Sequence, residues 1–255
     1  MSQSSPEIAR ERARNFHDRF QGSEFATAYQ GIPIFAAPGL HELALACLSS
    51  VMPATASVDV LELGAGGGAM SLRLADHGYR VWASDLFEDS FTPRAKIPFQ
   101  TLDLNRPFAE AVGRQFDAVV ALELVEHLEN PHHFLRQCRV LLRPGGTLLL
   151  STPNLANPVS QAMFVRDGVF QWFGDDDYRE QGHIMPLAPM VLRRCATEAG
   201  FACDWEGSVS DPMRTLAGRR HRRLRWLAKA LAAVSRTPAS LRGEVWMAMF
   251  KAPAD

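Results

Sequence analysis

The stretch DVLELGAGGGAMSLRLADHG, from Asp59 to Gly78, limits the possible folds more than any other part of the chain. A short strand-like run meets four glycines in five residues, and a helical pattern follows at once. A strand that turns directly into a helix is the first half of a parallel βαβ unit. Gly64, Gly66 and Gly68 allow a tight turn and a close approach of backbone to a ligand. A helix starting near Gly68 would aim its free N–H groups at that ligand. A bare turn needs no such run, because each glycine costs conformational entropy on folding.

The alternation continues down the chain. Strands are expected at Asp59–Leu63, Arg80–Ser84, Phe99–Leu104, Phe116–Leu122, Thr147–Ser151, Phe201–Val209 and Val245–Lys251. Helices are expected at Met70–His77, Pro131–Leu142 and Pro189–Ala199, and at Leu40–Val51, where apolar residues recur at three and four before Pro53. The runs VVALEL and TLLLST are nearly all apolar, as in a sheet covered on both faces. The fold class is therefore α/β: a doubly wound, mostly parallel seven-stranded sheet with helices on both faces. Residues 1–53 read as an N-terminal helical cap and 54–255 as the main domain, with inserts at 155–186 and 211–242.

Composition narrows the function classes. With 47% hydrophobic and 22% charged residues, the chain is ordinary for a globular protein. A formal net charge of -1 gives no global attraction to nucleic acid. Cys47, Cys138, Cys195 and Cys203 lack C-x-x-C spacing and read as reduced thiols of a cytoplasmic protein. No secretory h-region or run of about 18 apolar residues is present.

Two ligand classes fit the glycine turn. Gly64, Gly66 and Ala69 satisfy G-x-G-x-x-A, a dinucleotide pattern. Glu62, Gly64, Gly66 and Gly68 satisfy E-x-G-x-G-x-G. Glu62 separates the two, since a carboxylate is a poor neighbour for pyrophosphate and a good one for a cationic sulfonium amino acid. Here the chain resembles the class I S-adenosylmethionine-dependent methyltransferases. The resemblance extends through FDAVVALELVEHLENPHHFLRQCRVLLRPGGTLLLSTPN and GHIMPLAPMVLRRCATEAGF, and is strongest over residues 55–155. The E-H-L, S-T-P-N and G-H-I segments resemble a small-molecule subgroup that includes ubiquinone-biosynthesis O-methyltransferases.

The resemblance implies S-adenosyl-L-methionine as cofactor, held by Glu62, Gly64, Ala65, Gly66 and Gly68. It implies Asp85 and Leu86 after the second strand, Asp103 and Leu104 after the third, and Leu122 after the fourth. Asp85 stands about 20 residues past the glycines, where an acid accepts ribose hydroxyls; a nicotinamide-dependent oxidoreductase, or a binding protein without turnover, would share it. An oxygen acceptor that must lose a proton needs a base, and His127 and His183 are the candidates. Glu126, His127, Glu129, His132 and His133 cluster in sequence without a convincing ligand spacing, so no metal is expected. Arg143-Pro144-Gly145-Gly146 reads as a turn that stops a helix and reverses the chain.

The two inserts carry the remaining expectations. Met163, Phe164, Phe170, Trp172 and Phe173, followed by Asp175, Asp176 and Asp177, suggest an acceptor pocket or lid. The second insert carries nine Arg and Lys against Asp211 alone. Its helix places Leu224, Leu227, Leu231 and Val234 on one face, with Arg222, Arg225 and Lys229 broadly opposite. That stripe can pack on the domain, on a second copy of the chain, or on a membrane surface through 214–236. A small-molecule acceptor is the expected partner. Nucleic acid is not expected, since no aromatic-rich platform for single strands accompanies the basic run.

Overall fold

A computed structural model describes residues 26–254; most of the expected N-terminal cap, residues 1–25, lies outside them. The strands are β1 (Ala28–Tyr29), β2 (Ile32–Pro33), β3 (Asp59–Leu63), β4 (Arg80–Asp85), β5 (Phe99–Thr101), β6 (Phe116–Ala121), β7 (Leu142–Pro153), β8 (Ala202–Val209) and β9 (Val245–Lys251). The α-helices are α1 (Leu40–Val51), α2 (Ala69–Asp76), α3 (Ala109–Val112), α4 (Pro131–Leu141), α5 (Pro158–Asp167), α6 (Pro189–Glu198) and α7 (Arg222–Val234). Strands β3 to β9 form one seven-stranded sheet in the order β5-β4-β3-β6-β7-β9-β8. All neighbours run parallel except β9, which is antiparallel to both β7 and β8.

Side chains alternate across this sheet with the two-residue period of a strand. Leu148 and Leu150 of β7 join Phe134 and Cys138 of α4 and Leu192 of α6 in one core. Leu149 points the other way, into a core with Leu40, Leu43 and Leu48 of α1 and Met70 and Leu74 of α2. Residues 40–51, counted with the cap in the sequence, thus share the core of the sheet itself. Both faces are covered, which is why the central strands carry almost no polar residues.

One expected turn is not a turn. Helix α4 stops at Leu141, but Arg143-Pro144-Gly145-Gly146 lies inside a continuous strand. Register jumps from Phe116↔Leu142 to Ala118↔Thr147, so the four residues form an enlarged bulge. Gly145 takes φ +70° there, and its N–H donates to Pro253 O at 2.7 Å. The bulge carries Arg143 to Asp117 (2.6 Å) and to fully buried Asp59 (2.8 Å), which also binds Arg114 (2.8 Å) and Arg80. Asp59 therefore ties β3, β4, β6 and β7 together at the edge opposite the strands' carboxyl ends. Asp59→Ala is expected to lower stability by about 2 kcal/mol, less than a fully buried pair would lose because the arginines are half exposed. Urea unfolding measures it; an unchanged midpoint would mean the network is only decorative.

Candidate active site

The order of strands reverses between β3 and β6, and ligands of open parallel sheets bind at the carboxyl edge there. A cavity of about 390 Å3 occupies this place. It is lined by Glu62, Gly64, Ala65, Gly66, Gly67, Asp85, Leu86, Asp103, Leu104, Leu122 and His127, among others. Of the residues expected around a donor, Gly68 alone does not line it. A Cβ at Gly68 would sit 2.5 Å from Pro93 Cδ and 2.8 Å from Phe91, with φ at +89°. Gly68 is thus required for packing of the loop against 91–93. Gly66 is the reverse case: φ is +50°, and no protein atom lies within 4 Å of its notional Cβ. We expect Gly68→Ala to destabilise the fold by about 3 kcal/mol. Gly66→Ala is expected to cost about 1 kcal/mol of stability and mainly to obstruct the ligand. Urea unfolding beside ligand titration separates the two, and equal stability losses would contradict this division.

The rest of the turn is fixed by the neighbouring strand end. Ser84 O accepts from Gly64 N–H (2.9 Å) and Ala65 N–H (3.0 Å). Asp85 Oδ2 accepts from Gly66 N–H at 2.8 Å, and Oδ1 accepts from Phe87 N–H at 3.2 Å. The carboxylate is therefore aimed at the glycine loop before any ligand arrives. Strand β5 ends at Thr101, two residues short of Asp103, whose Oδ1 accepts from Asn105 N–H at 3.0 Å.

Glu62 is buried at the floor, and Ser71 Oγ donates to its Oε2. Burial pushes its carboxyl up to about 8, opposed by the Ser71 hydrogen bond and assisted by Asp85. This alters the argument made from sequence, which took Glu62 as a fixed negative charge. In the empty cavity it is largely a neutral acid near pH 7, and an incoming cation would favour its ionised form.

Beyond β6 the chain enters a short 3-10 turn, Val125–His127. Glu123 precedes it at φ +49°, held by Ser151, whose Oγ accepts from Glu123 N–H (2.9 Å) and donates to Oε1 (3.0 Å). His127 Nδ1 donates to Gly182 O at 3.0 Å, which leaves Nε2 as the basic nitrogen. Burial lowers the pKa of His127, and His183 adds to the effect, so the ring is neutral at pH 7. His183 does not line the cavity. It stacks edge-on against His127 with centroids 4.9 Å apart, and its Nδ1 donates to Trp172 O at 2.7 Å. Ile184 and Met185 N–H both donate to Glu126 O (3.0 and 2.9 Å), which clamps the first insert onto the turn.

Three donors converge here that the sequence does not pair. Glu126, His127 and His183 each offer an atom within 4.8 Å of the others'. Glu126 is fully buried; Thr152 Oγ1 donates to Oε2 at 3.0 Å, while Oε1 has no partner. Burial pushes this carboxyl up to about 8. The other acid and histidines of the sequence cluster go elsewhere: His132 Nδ1 lies 3.1 Å from Glu198 and His133 Nε2 donates to Arg106 O at 3.0 Å. Two lining residues had no sequence signal. His41 of α1 is 8% exposed, with Nδ1 unpartnered, and burial followed by Arg73 lowers its pKa to about 4. Phe35, 86% exposed, stands at the mouth.

The sequence matches the family described as a methyltransferase domain over residues 6–205. A ubiquinone biosynthesis O-methyltransferase of Dinoroseobacter shibae is 34% identical over 166 residues, covering 60% of this chain and 64% of that protein. One from Cereibacter sphaeroides is 37% identical over the same shares. The chain thus spans slightly under two thirds of the relatives it matches. Among solved structures, a SAM-dependent methyltransferase from Archaeoglobus fulgidus superposes with a TM-score of 0.57 at 18% identity, over 92% of this chain and 97% of that one. Phosphoethanolamine N-methyltransferase 2 of Haemonchus contortus, in complex with S-adenosyl-L-methionine, gives 0.56 at 15% identity, over 93% and 60%. At such identities the likeness is one of fold.

Proposed function

Because the chain belongs to the methyltransferase domain family, we propose that it moves a methyl group from S-adenosylmethionine to a hydroxyl oxygen of a small-molecule acceptor. The observation that carries this reading is one cavity shared by the Gly64–Gly67 turn, Asp85 and His127. Donor site and base then face the same space. Asp85 accepts the ribose hydroxyls, Asp103 meets the adenine edge, and Glu62 offsets the donor's positive charge.

The transfer is an in-line displacement: the S–CH3 bond breaks as the O–CH3 bond forms. Most of the acceleration comes from holding the two reactants in line. The acceptor's proton passes to His127 Nε2, whose tautomer is set by Gly182 O. His183 packs against that ring and orients it. The names of the relatives favour a phenolic hydroxyl of a quinone precursor, and other hydroxyl-bearing metabolites suit the same chemistry. A membrane surface reached through 214–236 is proposed as a second partner. The test is release of S-adenosylhomocysteine on mixing the protein with S-adenosylmethionine and a catechol. Transfer to amines alone would overturn the oxygen acceptor.

A second reading is favoured by the unpartnered Oε1 of Glu126. Glu126, His127 and His183 would hold a divalent cation, which would acidify the acceptor hydroxyl directly. Treatment with a chelator separates the two: an unchanged rate supports the histidine base. Loss of the rate, with recovery on adding Mg2+, Mn2+ or Zn2+, supports the cation.

A further inference from the structure

We infer that the solvent face of α7 docks on an anionic lipid bilayer, with Trp226 as its anchor. This rests on the membrane contact proposed above and assigns it to a different face of the helix. Leu224 and Ala228 are buried against Val159, Ala162 and Leu216, with Met163, Met213, Leu227 and Leu231 completing the cluster. The leucine stripe is therefore consumed by α5 and the Pro212–Leu216 turn, and it is unavailable to lipid. Val234, read as part of that stripe, is 78% exposed instead.

The opposite face has another composition. Trp226 is 70% exposed. It lies four residues after Arg222, three after Arg223 and three before Lys229, so cations flank the indole on both sides. Among the described residues, Arg219, Arg222, Arg223, Lys229 and Arg236 form no ion pair, although a third of the chain's 27 cations lie in residues 211–242. The other arginines of the insert are engaged: Arg214 pairs with buried Glu244 at 2.5 Å, Arg225 donates to Leu216 O and Gly218 O, and Arg242 donates to three carbonyls. The free cations are thus those of the outer face. A large aromatic with a polar edge, ringed by unpaired Arg and Lys on a fixed helix, matches the headgroup layer of an anionic membrane. With the leucines turned inward, contact is shallow, and attachment depends on charge and on one indole.

The platform is joined to the site. Gln171 Nε2 donates to Thr215 Oγ1 at 2.9 Å, and the Arg214 guanidinium lies 5.9 Å from the Trp172 ring centroid. Trp172 O in turn holds His183. A bilayer under α7 would therefore place its surface beside the acceptor insert, where a lipophilic hydroxyl compound could enter.

Sedimentation with phosphatidylcholine vesicles, with and without phosphatidylglycerol, tests this on the full chain. Binding is expected only with phosphatidylglycerol, weakening as salt rises. Trp226→Ser should lower partitioning at least about fivefold. Arg222→Glu with Arg223→Glu should lower it at least about 25-fold, near fivefold per lost cation. Methylation of a water-soluble catechol without lipid should be unchanged in Trp226→Ser. Four results overturn the inference: no vesicle binding at low salt, equal binding to neutral vesicles, wild-type binding by Trp226→Ser, or binding to single-stranded RNA in place of vesicles. If catechol is never methylated while vesicle binding follows these variants, the enzymatic reading fails and the docking surface stands.

Discussion

Asp85→Ala is expected to weaken S-adenosylmethionine binding by about 100-fold or more. Two hydroxyl donors to a carboxylate contribute about 1.5–3 kcal/mol each, and each 1.4 kcal/mol is a factor of ten. The same carboxylate fixes the loop through Gly66 N–H and Phe87 N–H, so part of the loss is a slackened turn. Asp85→Asn separates the contributions. It keeps one acceptor oxygen and the shape, and should recover part of the affinity. Wild-type affinity in Asp85→Ala would move the donor out of this cavity.

The second large effect is at His127. His127→Ala should reduce kcat by about 100-fold to 10,000-fold, the range of a lost general base, with the donor's dissociation constant little changed. The pH profile adds an independent signature. Burial and His183 hold the His127 pKa below the ordinary 6.5, so the neutral, proton-accepting ring persists below pH 6.5. The acid limb of kcat/KM should therefore fall below pH 6.5, and rate should not rise through the neutral range on account of this group. An acid limb above 6.5 would contradict the buried, uncharged imidazole. His183→Ala should act more weakly, through the orientation of His127, and should shift that limb upward because a neighbouring ring that lowers the His127 pKa is lost.

The sheet was legible in the sequence because both of its faces are buried, and burial leaves long apolar runs that few other folds require. Edges were less so: Phe99–Leu104 shortens to Phe99–Thr101, since Leu102 to Asn105 leave the ladder to meet the cavity. The Arg143–Gly146 bulge could not be read, because a Pro-Gly-Gly run signals a turn locally and only pairing with β6 and β9 absorbs it into a strand. The donor half of the site was legible since its residues follow strand ends in order. The acceptor half was not, because Glu126 and His183 meet only when the first insert folds back over 125–127. His41 was hidden for a similar reason: on the apolar face of α1 it looks like core, and its relation to the cavity is a tertiary fact.

The measurement that bears most directly on the central claim is calorimetric titration with S-adenosylmethionine, S-adenosylhomocysteine and NAD(H), wild type beside Asp85→Ala. Binding of both sulfur nucleotides, no binding of NAD(H), and loss in the variant is the predicted result. Binding of NAD(H) alone would contradict it and make the cavity a dinucleotide site.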